Sequence, residues 1–479
     1  MSAVRIGIIG AGSAIFSMRL VSDICKTANL KDSEVILMDI DEDRLKAVSF
    51  LASKISDEFD AGIHFSTTTN VNEAIANANF VINSALVGGH GFLEKMRQIG
   101  EKHGYKRGID TQEFNMVSDY YTLTNWNQLS YFLEIAQKME HNGVKNPWLL
   151  QAANPVFEGT TLIHRQTKTN MVGFCHGHHE IKHLAEAIEI PIWEIDWQVA
   201  GVNHGIWLNK FERDGKDLYP KLEVYFNNRK EWHPKDPPDD QLSPVAWDMY
   251  KFYGMFPIGD TQRNSSWKYH YDLETKKKWY GEPWGGFDSD LGWKWYQEKV
   301  YSITKSLQEM MKMLMEKAAL GEIKSVKTLI MENIKRFPED IREQVVQIFD
   351  PETLSGEQHI PFIDAIANNN PTRLIVNTLN RKKANSKEVV IEGLPNDCAC
   401  EFPALVDSKG IHPEELEPPL TDRIIKWYLL PRILRMEWAL EAFIKKDKSL
   451  IVEFLMRDRR TTSYEQAKAV VDELFENNK

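Results

Sequence analysis

Short, almost wholly apolar runs alternate with amphipathic stretches through the first part of the chain, and that alternation sets the expected architecture. Residues 4–9 are apolar apart from Arg5, as in a strand buried on both faces of a parallel sheet. Residues 35–38, 63–68, 80–84, 148–153 and 171–174 are the next candidate strands. Between them, residues 17–26, 42–59 and 71–78 place apolar positions at helical spacing, and 116–139 reads as one or two helices. Such alternation predicts a doubly wound α/β sheet, whose ligands sit beyond the carboxyl ends of the strands.

The first strand and first helix are joined by Gly10-Ala11-Gly12-Ser13. Gly10 permits a tight turn, and Gly12, with Ser13 beside it, lets the backbone approach a pyrophosphate on the helix N-terminus. Ile15 stands where the usual third glycine would be, so the fingerprint is incomplete. The second strand ends at Asp39. An acid there binds ribose hydroxyls and repels a 2′-phosphate, favouring NAD over NADP; the alternative is that Asp39 caps the next helix. Residues 87–91 are glycine-rich and placed to line a cleft, whereas 92–115, including Arg97 and Arg107, read mostly as solvated surface.

From about Asp196 the pattern changes. Residues 197–202, 389–391 and 402–406 read as strands, and 301–319, 424–443 and 464–474 as helices. Residues 279–295, rich in Trp and Gly, are candidate loops over a site, stacking on a sugar or forming an interface. The expected fold is a Rossmann-type doubly wound parallel sheet in an NAD-binding domain, 1–195, followed by an α+β domain, 196–479.

Composition narrows the class. With 42% apolar and 27% charged residues the chain is globular, and 479 residues suffice for two domains with cores of their own. A net charge of -11 argues against nucleic acid or an anionic membrane surface as partner. No apolar run approaches the roughly 20 residues that cross a bilayer, and no leader pattern opens the chain, so a cytoplasmic location is expected. The spacing of the four cysteines suggests no disulfide framework.

The chemistry concentrates in two stretches, Gly173-Phe174-Cys175-His176-Gly177-His178-His179 and Gly201-Val202-Asn203-His204-Gly205. Thiol and imidazole suit Zn, Fe, Mn or Ni, and both stretches follow strand-like runs that a Rossmann topology would bring to one crevice. Each residue could equally be a buried thiol or a core histidine. At Asn154-Pro155 the proline ends a strand, leaving the Asn amide to bind a ligand at the sheet edge.

Gly10-Ala11-Gly12-Ser13, Asn154-Pro155, Gly173-Phe174-Cys175-His176, Gly201-Val202-Asn203-His204 and Pro257-Ile258-Gly259-Asp260, in this order, resemble glycoside hydrolase family 4. The likeness continues through Ser355-Gly356-Glu357-Gln358 and Pro431-Arg432. Within the family, residues 97–102, 112–119 and 279–284 look most like the NAD- and Mn-dependent α-glucosidases of bacteria such as Thermotoga. The resemblance implies a fold similar to lactate and malate dehydrogenases, NAD and a divalent metal, usually Mn, as cofactors, and a homodimer or homotetramer. It implies oxidation of the sugar at C3, removal of the C2 proton, elimination of the leaving group from C1, addition of water and reduction of C3.

Carried over by position, Cys175 and His204 match the family's metal ligands, Asn154 its substrate-binding Asn, and Asp260 a candidate C2 base. Asp119 matches a second acid with a proton-transfer or substrate-orienting role. His176 stands where members acting on 6-phosphorylated sugars have Asp or Asn, which disfavours a phosphosugar. Arg263 either clamps sugar hydroxyls or pairs with Asp260, and Asp260 itself could be a turn acid after Gly259. The substrate expected is a small-molecule α-glucoside. The alternatives are an α-glucuronide or α-galacturonide, whose carboxylate would want Arg97, Arg107 or Arg263, and a 2-hydroxy acid oxidised by a plain dehydrogenase.

Overall fold

Arg5–Ile9 forms β1, the first strand of one large mixed sheet, in a computed structural model describing residues 3–106, 123–229, 231–263, 272–319, 325–337, 339–383 and 386–477. The strands that follow are β2 (Glu34–Met38), β3 (His64–Thr68), β4 (Phe80–Asn83), β5 (Trp148–Gln151) and β6 (Asn170–Gly173). They lie in the order β3-β2-β1-β4-β5-β6, every neighbouring pair parallel. This is the strand order of a dinucleotide-binding sheet, with helix α1 (Ala14–Lys26) leading away from β1. All of β4 and most of β1 and β2 are buried, which is why these strands read as unbroken apolar runs.

The sheet does not stop at β6. It continues through antiparallel neighbours drawn from the rest of the chain: β7 (Asp196–Val202), β8 (Gly205–Arg213), β10 (Phe256–Ile258), β11 (Thr372–Leu379) and β12 (Ala399–Asp407). The order from β6 outward is β11-β12-β7-β8-β10, with β9 (Lys216–Asp217) on β8 and β13 (Gly410–Pro413) on β12. The joins are narrow. Gly173 of β6 faces Asn377 of β11, Asn377 faces Glu401 of β12, and Glu401 faces Gly201 of β7, so four residues form one row across the sheet. One apolar cluster spans both regions, holding Ile8 and Leu150 together with Phe402 and Leu440.

Several expectations change. Residues 389–391 are β-branched and apolar but are not a strand: the N–H groups of Val390 and Ile391 donate to Asn380 Oδ1 instead of to a neighbouring strand. Arg97 is not solvated surface, since helix Gly89–Lys102 folds Glu94 and Glu101 around its guanidinium. The Trp-rich run is largely packed inward; Trp293 is buried and donates its indole N–H to Glu94 (2.9 Å). No helix among the described residues is long and apolar enough to cross a membrane.

Candidate active site

The glycine turn is held from two sides. Gly10, at φ +86°, and Ala11 both donate to the Met38 carbonyl at 2.9 Å, and a Cβ on Gly10 would lie 2.8 Å from Ala85 N. Gly12 donates to Asp39 Oδ2 (2.7 Å), while Asp39 Oδ1 accepts from Asp41 N–H (3.0 Å). A Cβ on Gly12 would strike that carboxylate at 2.7 Å. Ser13, exposed, opens α1 without a side-chain cap. Gly10, Gly12, Ser13 and Asp39 thus stand together at the helix N-terminus, and the cap of the following helix is Asp41, not Asp39.

A second cluster forms where three turns meet. Cys175 and His176 follow β6; Asn203 and His204 make the two-residue turn between β7 and β8, in which Val202 pairs with Gly205. Gly201 has to be a glycine, because a Cβ there would sit 2.1 Å from the Gly205 carbonyl oxygen. His204 takes the left-handed conformation, φ 56°, a cost that persists where surrounding structure enforces it. Asp260 enters on the turn after β10, and Gly259, at φ 62°, is pressed so close to Gly177 that a Cβ would lie 2.8 Å from its Cα. These contacts bring Asp260 Oδ2 to 3.6 Å from His204 Nε2.

The electrostatics follow from burial. Burial lowers the His204 pKa to about 4 despite the nearby Asp260 carboxylate, so the imidazole is neutral and able to ligate a metal. Burial also pushes the Cys175 thiol up, as do the Glu401 and Asp260 carboxylates, against hydrogen bonds from the Gly177 backbone and the Asn203 side chain. A cation at this point would reverse that. Glu401, 1% exposed, accepts from Asn203 Nδ2 (3.0 Å), and burial raises its pKa to about 7. Among the described residues no three His, Cys, Asp or Glu side chains form a metal cage by themselves.

Residues 5–190 match the family 4 glycosyl hydrolase model, and residues 199–461 match that of the family 4 glycosyl hydrolase C-terminal domain. The chain belongs to glycosyl hydrolase family 4. An α-galacturonidase of Thermoanaerobacter italicus is 23% identical over 500 aligned positions, 100% of this chain and 97% of that protein. An α-galactosidase of Bacillus subtilis is 28% identical over 222 residues, so the match spans only 46% of this chain and 50% of that enzyme. Two solved structures share the fold. A putative glucosidase, LplD, of Bacillus subtilis has a TM-score of 0.76 at 18% identity, covering 99% of this chain and 100% of that one. A 6-phospho-α-glucosidase from gut microorganisms, in complex with NAD and Mn, has a TM-score of 0.73 at 16% identity, covering 99% and 98%.

Within this family 4 chain, Arg263 pairs with Asp260 through Nη1, and with Asp240 through Nε (2.6 Å) and Nη2 (3.0 Å). Asn154 ends the loop after β5 and accepts from Val156 N–H (3.4 Å). His176 is 64% exposed, and Glu357 raises its pKa from 3.7 Å away. His178 is buried against Trp197. Asp119 and Arg107 lie outside the described residues.

Three carboxylates escaped the sequence reading of the site: Asp240, Glu357 and Glu401. Glu357, 4% exposed, pairs with Arg19 of α1 at 3.0 Å and faces His176 and His359 at 3.7 and 3.8 Å. Its loop is strapped to α1, where Asp23 accepts both the Ser355 N–H (2.8 Å) and hydroxyl (2.5 Å). The only signal in the sequence was the position of Glu357 within a matched motif; for Asp240 and Glu401 there was none.

Proposed function

We propose that the chain hydrolyses α-glucosides with bound NAD and a divalent metal, Mn or another, through C3 oxidation, C2 deprotonation, elimination and water addition. The observation that carries this is the meeting of Cys175, His204 and Asp260 at three turns. The glycine cradle beside α1 fits a pyrophosphate, since side chains are excluded at Gly10 and Gly12. An incomplete donor pair, one thiol and one neutral imidazole, fits a catalytic ion that must keep positions open for substrate oxygens. When bound, NAD supplies the redox step at C3 and the metal the Lewis acidity that makes the C2 proton acidic.

The residues of the chain do the rest. Asp260 takes the C2 proton, its Oδ2 turned toward His204. Asn154 and His176 hold the sugar, and Asp119 is assigned to proton transfer or substrate orientation. Two of the three arginines named as carboxylate clamps support a neutral sugar rather than an anionic one. Arg97 is engaged by Glu94 and Glu101, and Arg263 by Asp240 and Asp260, so neither offers a fork to a phosphate or uronate.

A second reading, an α-galacturonidase or α-glucuronidase, is favoured by the full-length match to an α-galacturonidase. Hydrolysis of p-nitrophenyl α-glucoside and α-glucuronide, with NAD, Mn and a thiol reductant each added and omitted, separates the two. Release from the glucoside only when all three are supplied is expected. Release from the glucuronide alone moves the function to the uronide. No release from either, with NADH accumulating on a 2-hydroxy acid, overturns hydrolysis.

A further inference from the structure

We propose that Asp240 is a positioning residue: it claims one edge of the Arg263 guanidinium, so that Arg263 grips Asp260 by a single nitrogen. The inference rests on Asp260 being the C2 base and says what holds that base in its working direction.

Asp240 lies in the loop before helix Pro244–Tyr253 and is 1% exposed. Its Oδ2 accepts from Arg263 Nε at 2.6 Å, and its Oδ1 accepts from Arg263 Nη2 at 3.0 Å and from Gln262 Nε2 at 2.8 Å. Nη2 also donates to the Pro238 carbonyl (3.1 Å), and the guanidinium lies 5.0 Å from the centre of the Phe287 ring. That leaves Nη1 for Asp260 Oδ1. The next residue, Gln241, is fully buried and seizes the same turn from its backbone: Nε2 donates to the Pro257 carbonyl (2.8 Å), and Oε1 accepts from Gly259 N–H (2.9 Å). Two consecutive residues therefore brace the turn that carries Asp260.

A guanidinium beside a carboxylate prefers to take both oxygens with two parallel N–H groups. Asp240 blocks that arrangement at Asp260 by occupying the Nε and Nη2 edge. Without its charge, Arg263 would be a buried cation whose nearest anion is Asp260. The fork would swing onto both Asp260 oxygens and draw Oδ2 away from its place 3.6 Å from His204. A base held by both oxygens loses its direction toward C2.

The test is a double-mutant cycle on the full chain with NAD and Mn bound. Asp240→Asn keeps the shape and removes the charge. It is expected to lower kcat about 10- to 100-fold, the scale of a small misplacement of a reacting group. KM should stay within about twofold, NAD and Mn affinities should hold, and exchange of the C2 hydrogen with solvent should slow in parallel. Arg263→Ala removes the fork, so D240N/R263A should be no slower than R263A alone. A D240N enzyme within about twofold of wild type, or a double variant slowed by the product of the two single losses, overturns the proposal. If D240N does not fold, the same cycle is run with Asp240→Ser, which also removes the charge, and the same non-additivity is required. Asp260→Asn separates the layers: retained C2 exchange removes Asp260 as the base, whereas D260N inert with D240N unimpaired removes only the role of Asp240.

Discussion

Glu357 shows how far one buried side chain is tuned by its neighbours. Burial alone would raise its pKa, but His176 at 3.7 Å, His359 and Arg19 outweigh it and hold the carboxyl at about 2, against an ordinary 4.5. A folded-state pKa below the unfolded one stabilises at pH above about 4.5, and that contribution disappears as pH falls through about 2. The shift corresponds to about 3 kcal/mol. Denaturation of wild type and Glu357→Gln across this range should show the widest gap above pH 4.5 and none near pH 2. A gap independent of pH would mean that shape, not charge, is what Glu357 contributes. At the proposed metal site, Cys175→Ala is expected to abolish Mn binding while leaving NAD affinity intact, as read by titrating each separately; undiminished Mn affinity removes Cys175 from the proposed ligand set. Cys175 and His204 were visible as candidates because their side-chain chemistry is distinctive at any position. Asp240 was not, because an acid in a polar loop looks solvated until a fold buries it against Arg263.

At the scale of elements, the site depends on turns packed too tightly for side chains. Gly259→Ala would force a Cβ against Gly177 Cα at 2.8 Å in a left-handed conformation, so the turn carrying Asp260 must open. The expected result is a loss of about 1–3 kcal/mol in stability, with kcat falling and NAD affinity unchanged. A fully active G259A enzyme would show that the two turns can separate without displacing Asp260. Strands β1, β2 and β4 to β6 were readable because burial leaves a nearly continuous apolar run, a local signal, whereas β3 is largely exposed at the edge of the sheet. Strand β11 was missed: its fully buried core is only Leu374 to Asn377, flanked by partly exposed residues. The run at 389–391 misled for the opposite reason, its composition favouring a strand while Asn380 supplied the hydrogen bonds a partner strand would have made.

For the whole molecule, the decisive feature is that the parallel and antiparallel halves form one sheet over a shared apolar cluster. Residues 1–195 expressed alone would expose the β6 edge and the cluster face that Phe402 and Leu440 cover, so that fragment should aggregate, while the intact chain should unfold in one calorimetric transition. A soluble, cooperatively folded fragment would show that the sheet is not one unit. The sequence by itself determined the strand, glycine-turn and helix at the start, the run of buried parallel strands and the residue types able to bind a metal, because each depends on neighbours within a few positions. Only the tertiary structure decided that β11 and β12, from the far end of the chain, stand between β6 and β7. The row from Gly173 through Asn377 and Glu401 to Gly201 joins strands separated by hundreds of residues, and no local pattern records which distant strand will fill a gap in a sheet. The same holds for the pairing of Arg263 with two acids and of Glu357 with α1: charge partners are chosen by proximity after folding, and proximity is what a linear sequence does not carry.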